Sequence, residues 1–564
     1  MTIDSKTSDA EQTLFGNLLD EQLLHYRRTT SGERIAATLP EVFVAMTQDH
    51  VRDFPALRPH QRHPWHAFLV QLATIALHHA GHAEPFSTVG EWRAALLALT
   101  PNDRDGAAWC LVSPIDRPAF LQSPVLPRLE LDKKGKEKFV EYDQWEKLIA
   151  ADLIDVIKAS KNHDLKIQRV TRASFDDWIF ALVSLQAQSS SDSGSYKQSV
   201  RVAGGYGRRA AVGISTNKGC GARWRRDLSL SVEKRRAVAH DFVLNERGVS
   251  LVWLLPWDGS EKSALSTSQL APFFLENCRR IRFEFEAGKL IARTDKTPNN
   301  RIQTSGDGKT GDIWAPINLV PNKTSKDSLE GGKQEQVFTL KDPVGFSYPT
   351  AVNILFSKNG FKSSLAMRIQ RGDPFEGVTV LLQSIARDAD NNNMGYHERR
   401  IPISRTVVKA FLEKSTDELA KRATDRTTEI AKVKEFLEHA VLVLFNKSLQ
   451  FAKTEKVFLA AIKKLPTSAK RLSRTFIESF DAHCDSSFFY ELIEEIEASD
   501  PEAVRAQWLR TVAARAELVL KSAFAAGPRC GQLRYRAQSA ALDRLHLAMQ
   551  SEKFPALALA LNSR

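Results

Sequence analysis

RDADNNNMGYHERRIP, residues 387–402, divides the chain in two. Before it, VTVLLQSIA (378–386) leads into the stretch. Residues 280–356 alternate in the manner of strands (IRFEFEAGKLIAR, QVFTLKD, YPTAVNILF) between Gly, Asn, Asp and Pro turns. After it, from about Thr406, the period becomes helical: VVKAFLEKSTDELAKRATDRTTEIAKVKEFLEHAVLVLFNK, then TFIESFDAHCDSSFFYELIEEIEAS, then PEAVRAQWLRTVAARAELVLKSAFAA, then a last helix to about Leu561. Asp500-Pro501 reads as an N-cap followed by Pro at the first helical position, and Gly527-Pro528 ends that helix. The stretch itself holds three consecutive asparagines, residues that favour turns because the amide bonds to nearby backbone and tolerates positive φ. It reads as a protruding loop tip flanked by arginines.

The fold class implied is α+β: a large mixed N-terminal domain with loops and small sheets, followed by a C-terminal helical bundle of the four-helix type. The expected division is a disordered N-terminus over 1–12, an N-terminal domain over 13–403 and the bundle over 404–564. Within the N-terminal domain, helices are expected at AFLVQLATIALHHA after Pro64, at EWRAALLAL (91–99), at QWEKLIAADLIDVIKAS (144–160) and at FDDWIFALVSLQAQ (175–188). SSSDSGS (189–195) reads as a flexible linker.

The chain has 564 residues and a formal net charge of +12. A basic balance speaks to partners, and nucleic acid leads. Eleven Lys/Arg fall between Lys197 and Arg236, against Asp227 and Glu233, which points to a basic surface. Five scattered cysteines and no CxxC pair argue against a zinc ribbon and a disulfide framework. No apolar run reaches membrane-spanning length and no secretory signal is visible, so a cytoplasmic protein with no membrane contact is expected.

No catalytic arrangement stands out, and neither a metal site nor a cofactor is expected. RVAGGYGRR (201–209) is not a phosphate-binding loop of the Walker type, lacking GK[ST], and its spacing is not that of a dinucleotide fingerprint. Its glycines, Gly204, Gly205 and Gly207, permit close backbone approach, and Arg208 and Arg209 beside them suit a nucleic-acid backbone. The three histidines of HQRHPWH (60–66) read as packing residues at the start of a helix. Two rival readings stay open: a metal-dependent nuclease using His163, Asp164 and His397, and a non-specific nucleic-acid-binding scaffold.

Taken in order, these segments resemble CasA, the large subunit of the type I-E CRISPR surveillance complex Cascade. NLLDEQ (17–22) looks like the family's opening NLLxxxW without its Trp, and DRPAFLQSP (116–124) like its HPFMQT-type element. KASKNHDLKIQR (158–169) sits where the family has its first long loop, RVAGGYGRR at its glycine-rich stretch, and NNNMGYHERR aligns without gaps to its NNQxxxxERR segment. The resemblance implies a subunit without activity of its own. It would recognise the protospacer-adjacent motif in double-stranded DNA and start duplex opening for crRNA-guided R-loop formation. Asn392 and Asn393 would be the wedge, Asn393 standing where the family usually has Gln, with Asn391 and Met394 able to share the role. Gly204, Gly205, Gly207, Arg208 and Arg209 would approach the motif. Lys309 is the nearest candidate for the family's motif-reading lysine, with Trp314 marking the place. Lys161, Lys166, Arg169, Arg387, Arg399 and Arg400 would hold the phosphate backbone. The implied partners are the crRNA-containing complex with its backbone and small subunits, target DNA, and a nuclease that is either recruited in trans or built into another subunit.

Overall fold

Helix α1 (Leu39–Thr47) begins on a capping box: the Thr38 hydroxyl accepts from the Glu41 N–H, and the Glu41 carboxylate accepts from the Thr38 N–H at 2.7 Å. α2 (Arg62–Ala80) follows, then α3 (Val89–Ala98) on a Thr88/Glu91 box and α4 (Phe175–Gln188) on a Ser174/Asp177 box. α2 is buried continuously from His63 to Leu77, because other elements pack around it on every side. Strand β1 (Ala211–Thr216) leads to α5 (Cys220–Asp241). Strands β2 (Arg280–Glu286) and β3 (Lys289–Asp295) form an antiparallel hairpin. The computed structural model describes residues 14–103, 105–131, 135–157, 173–189, 209–216, 219–303, 308–321, 333–387, 393–452 and 454–562.

The fold is α+β, in two units. The first runs to Phe346 and includes Asn359–Pro374 and Val378–Arg400; the second comprises Ser347–Lys358, Phe375–Gly377 and Ile401–Arg564. The core of the first unit is aromatic. Trp65, Trp92, Trp109, Trp224, Trp253 and Trp314 are fully buried, and Trp92 stacks on Phe43 with ring centroids 4.5 Å apart. Each such side chain is a large apolar area removed from water, and paired rings add roughly 0.5–1.5 kcal/mol beyond that.

Three sequence expectations need correction. The region 144–160 does not form one helix. Glu146–Leu148 is a strand on the edge of the β2–β3 sheet, Leu148 pairing with Ala292, and among the described residues of the region only Ala151–Ile154 is α-helical. YPTAVNILF is not a strand. It is helix α6 (Tyr348–Leu355) of the second unit, started by Pro349 in its first turn. The Pro-rich segment 107–125 is held by buried Arg282, which donates to the Ser113, Pro114 and Arg117 carbonyls. Burial draws that guanidinium down to about 10, still charged at neutral pH. The basic run ending at Arg236 is not a basic surface in its described part. α5 turns Arg226 and Arg235 inward, and Arg226 pairs with Asp373 at 2.7 Å. Arg225 donates to the Met46 and Thr47 carbonyls at the end of α1, satisfying groups that a helix C-terminus leaves open.

Strands β4 (Val378–Arg387) and β5 (Asn393–Ile403) complete a three-stranded sheet in the order β5-β4-β1, with β1 antiparallel to β4. In the second unit, four long helices dominate: α7 (Asp417–Phe445), α8 (Thr467–Glu497), α9 (Pro501–Ala523) and α10 (Gly531–Met549). The apolar stripe Leu419, Ala423, Ile430, Val433, Leu437, Val441, Leu444 of α7 is buried at helical spacing. Asp500 caps α9 as its sequence implied, accepting from the Ala503 N–H at 3.1 Å, with Pro501 at the first position.

Candidate nucleic-acid interface

The sheet β5-β4-β1 carries the segment that opened the sequence analysis. β4 is buried almost throughout and ends at Arg387; β5 starts at Asn393. Residues 388–392, with Asn391 and Asn392, lie outside the described residues, as do Gly204, Gly205, Gly207, Arg208, Lys161, Lys166, Arg169, His163 and Asp164. Asn393 is described by its place at the start of β5. Beyond it, Met394 is 40% exposed. Gly395 has φ +115°, a conformation that L side chains rarely adopt, so the strand turns there at a residue suited to it.

The outward edge of β5 is a polar chain. Glu398 accepts from Arg400 Nε at 2.8 Å, from the Tyr396 hydroxyl at 2.9 Å and from Gln383 Nε2 at 3.1 Å. Burial pushes the Glu398 carboxyl up, but these donors outweigh it and hold it below its ordinary value. Burial by contrast pushes the Tyr396 phenol up, and the Glu398 charge adds to this. Arg400 remains 60% exposed and can exchange its carboxylate partner for a phosphate.

The other expected arginines are placed differently. Arg399 donates to the Phe346 carbonyl at 2.7 Å. Arg387 is 5% exposed and donates to the Val156 carbonyl. Arg209 is buried against Asp312. As placed, these three tie the sheet to neighbouring loops, and of the described arginines expected on phosphates only Arg400 presents its head to solvent. Lys309 shares Glu335 with Lys362, its Nζ 3.6 Å from the carboxylate. Trp314, expected to mark a reading lysine, is a core residue whose indole N–H donates to Asp227 at 2.8 Å.

The histidines at the start of α2 are packing residues. His60 meets Asp155 at 2.8 Å and His66 meets Asp227 at 2.8 Å, while His63 packs edge-on against Trp314. Among the described residues no group of three or more His, Cys, Asp or Glu could hold a metal. His397 lies against Gly345, and burial lowers its pKa with Asp342 opposing.

Sequence reasoning counted Arg223 in the basic run but missed Arg27, Arg52 and Arg62, which the fold brings together with it beside Arg400. They come from strands and helices far apart in the chain, so no local spacing announces them.

No protein-family model and no curated protein matches the sequence. Solved structures do. A crystal structure of the CRISPR-associated protein Cse1 from Acidimicrobium ferrooxidans superposes with a TM-score of 0.61 over 98% of this chain and 99% of that one, at 15% identity. The chain has the Cse1 fold. Thermobifida fusca Cse1 matches with a TM-score of 0.59 over 96% and 98% of the two chains at 12% identity. Thermus thermophilus CasA (Cse1) matches at 0.57 over 95% and 99%, also at 12%. A chain of a CRISPR RNA-guided surveillance complex matches at 0.53 over 95% and 99%. Among the described residues no helix is long and apolar enough to cross a membrane.

Proposed function

We propose that the chain is the large subunit of a type I-E-like Cascade, reading the protospacer-adjacent motif in double-stranded DNA and starting duplex unwinding for crRNA-guided R-loop formation in antiviral defence. The observation that carries this reading is the Cse1 fold over 98% of the chain and 99% of its counterpart, with no large unmatched segment on either side. It acts in a complex with crRNA and backbone and small subunits, and a nuclease supplied by another protein or subunit cuts the captured DNA. The chain contributes binding energy and needs no catalytic group of its own.

Physical chemistry supports the tip as the opening element. Asn391, Asn392 and Asn393 offer amide donors to the N3 and O2 acceptors of the minor groove, and Met394 beside them is an apolar side chain able to enter a base step. Exchanging a DNA duplex for an RNA–DNA heteroduplex is nearly balanced in free energy, so a local wedge decides where the exchange begins. Unstacking a step costs a few kcal/mol, which groove hydrogen bonds and phosphate contacts offset. Arg400 on β5, with Lys161, Lys166, Arg169 and Arg208, would supply the phosphate contacts. Gly204, Gly205 and Gly207 would let backbone approach the motif, and Lys309 would read it.

The test is duplex binding by the reconstituted complex, with and without this chain, across a library of randomised flanking motifs. Binding that requires both the chain and a particular motif is expected. Uniform, motif-independent affinity would instead make the chain a scaffold.

A further inference from the structure

The first unit contains a cleft of about 560 Å³, of which the reading above uses only Arg400. Five guanidinium groups line it, from Arg27, Arg52, Arg62, Arg223 and Arg400, and Asp53 is the one carboxylate among the lining residues. The nearby acids are already engaged. Arg27 binds Asp53 in a two-pronged pair at 2.7 and 2.9 Å. Glu398, behind the wall, takes Arg400 and stands 3.9 Å from Arg62. Asp227 lies 4.0 Å from Arg223 Nε, but its oxygens accept from His66, Trp314 and Arg226. Asp49, beneath the start of α5, accepts from the Ala222 N–H. His66, also on the wall, is held neutral at pH 7 by burial. The cleft therefore keeps an excess of positive charge, and Arg52 and Arg62 are half-exposed with only distant carboxylate partners.

The lining also includes apolar side chains, Phe54, Pro55, Leu57 and Leu381 among them. Three of the lining residues each keep a buried polar atom with no hydrogen-bond partner among the described residues: Arg223 Nε, Thr216 Oγ1 and Gln383 Oε1. The Gln383 amide is oriented by chemistry. Its nitrogen donates to Glu398, a carboxylate that can only accept, so the unpartnered atom is the carbonyl oxygen.

We propose that this cleft holds one nucleotide, its phosphate between Arg52, Arg62 and Arg223 and its base against Phe54, Pro55 and Leu57. The volume falls in the range of small-molecule sites, roughly 300–1,000 Å³, and arginine is the side chain best matched to phosphate geometry. The nucleotide can be free or can be one unit of a single strand. The proposal stands on the cleft and needs no assumption about the asparagine tip.

The test uses the full chain with three probes: a fluorescent hexadeoxyadenylate, 5′-AMP and inorganic phosphate. The hexamer is expected to bind, and inorganic phosphate to displace it only at far higher concentration than a nucleotide. Displacement by 5′-AMP at concentrations similar to those of the hexamer identifies a free nucleotide as sufficient; displacement by the unlabelled hexamer alone identifies a strand. The Arg52→Gln/Arg62→Gln variant should weaken binding by roughly tenfold or more, since two charge-assisted contacts are lost. Leu57→Trp, which fills the apolar side without removing charge, should weaken it as well. A hexamer carrying 5-bromodeoxyuridine should cross-link to the peptide containing Phe54–Leu57. Unchanged binding by both variants, displacement by inorganic phosphate as readily as by the unlabelled hexamer, or a cross-link elsewhere would each overturn the proposal.

Discussion

At Asp227 the first unit gathers three donors on one buried carboxylate: His66 Nε2 and Trp314 Nε1, each at 2.8 Å, and Arg226 at 3.2 Å. An ionised carboxylate only accepts, so the His66 imidazole donates from Nε2. Burial lowers the His66 pKa from 6.5 to about 4, Arg223 adds to the effect, and Asp227 opposes it. The unfolded chain therefore takes up this proton before the folded one. Stability contributed at His66 is complete above pH 6.5, falls as pH drops toward about 4, and is level below that. The difference amounts to roughly 3 kcal/mol. Chemical denaturation of His66→Gln between pH 7 and 4 should show a shallower loss of stability than the parent; parallel curves would mean that this imidazole is not held neutral. A second residue-scale prediction concerns Gly345, at φ +97°, where an added Cβ would lie 2.6 Å from His397 Nδ1. Gly345→Ala should cost about 1–3 kcal/mol, and His397→Ala in the same chain should restore part of it by removing the clash, with the φ strain remaining.

Among the elements, the four long helices of the second unit are joined by charge as well as by apolar contact. Glu495 on α8 is fully buried, 2.7 Å from Arg426 and 2.8 Å from Arg422, both on α7. Arg505 on α9 reaches both Glu495 and Glu429, and the Arg426 guanidinium lies over the Trp508 ring at 4.2 Å. Glu495→Ala strands two or three guanidinium groups in or near the core and should destabilise the unit by about 3–5 kcal/mol, whereas the paired exchange Arg426→Met/Glu495→Leu should cost far less. Denaturant midpoints of the two variants decide it; equal losses would show that the network works as packing alone. This network was invisible in sequence, because its members are polar residues at positions the apolar period does not select. The elements that were legible are those with local causes: the Asp500-Pro501 start of α9, and the apolar run of α2. YPTAVNILF was misread because apolar spacing in so short a piece fits a strand or a helix. Its state is set by distant residues, the Tyr348 N–H donating to Asp485 at 2.6 Å and the Tyr348 ring stacking on Phe488. The inward arginines of α5 were misread as surface because charge, read along the chain, looks the same whether it faces water or a buried carboxylate.

On the scale of the whole molecule, a net charge of +12 agrees with a polyanionic partner, yet much of the arginine content serves the interior, as Arg226, Arg282 and Arg426 show. The change to a helical period from about Thr406 announced the long helices of the second unit, and the Cse1 fold bears out the resemblance drawn from motif order. The arginine-lined cleft could not be read, since its members are separated by up to several hundred residues. If the complex binds duplex through this chain, its affinity should fall steeply and linearly on logarithmic axes with salt, and Arg400→Gln should reduce that slope by about 1; an unchanged slope would remove Arg400 from the phosphate contacts. The central claim is that the tip opens the duplex beside a flanking motif. It is tested most directly by 2-aminopurine placed at the first target base pair, with fluorescence followed as the assembled complex binds. With the parent chain, fluorescence should rise only beside the preferred motif, and Asn392→Ala/Asn393→Ala should abolish the rise at concentrations that still give binding. Equal opening by the variant, or opening without this chain, would contradict the account.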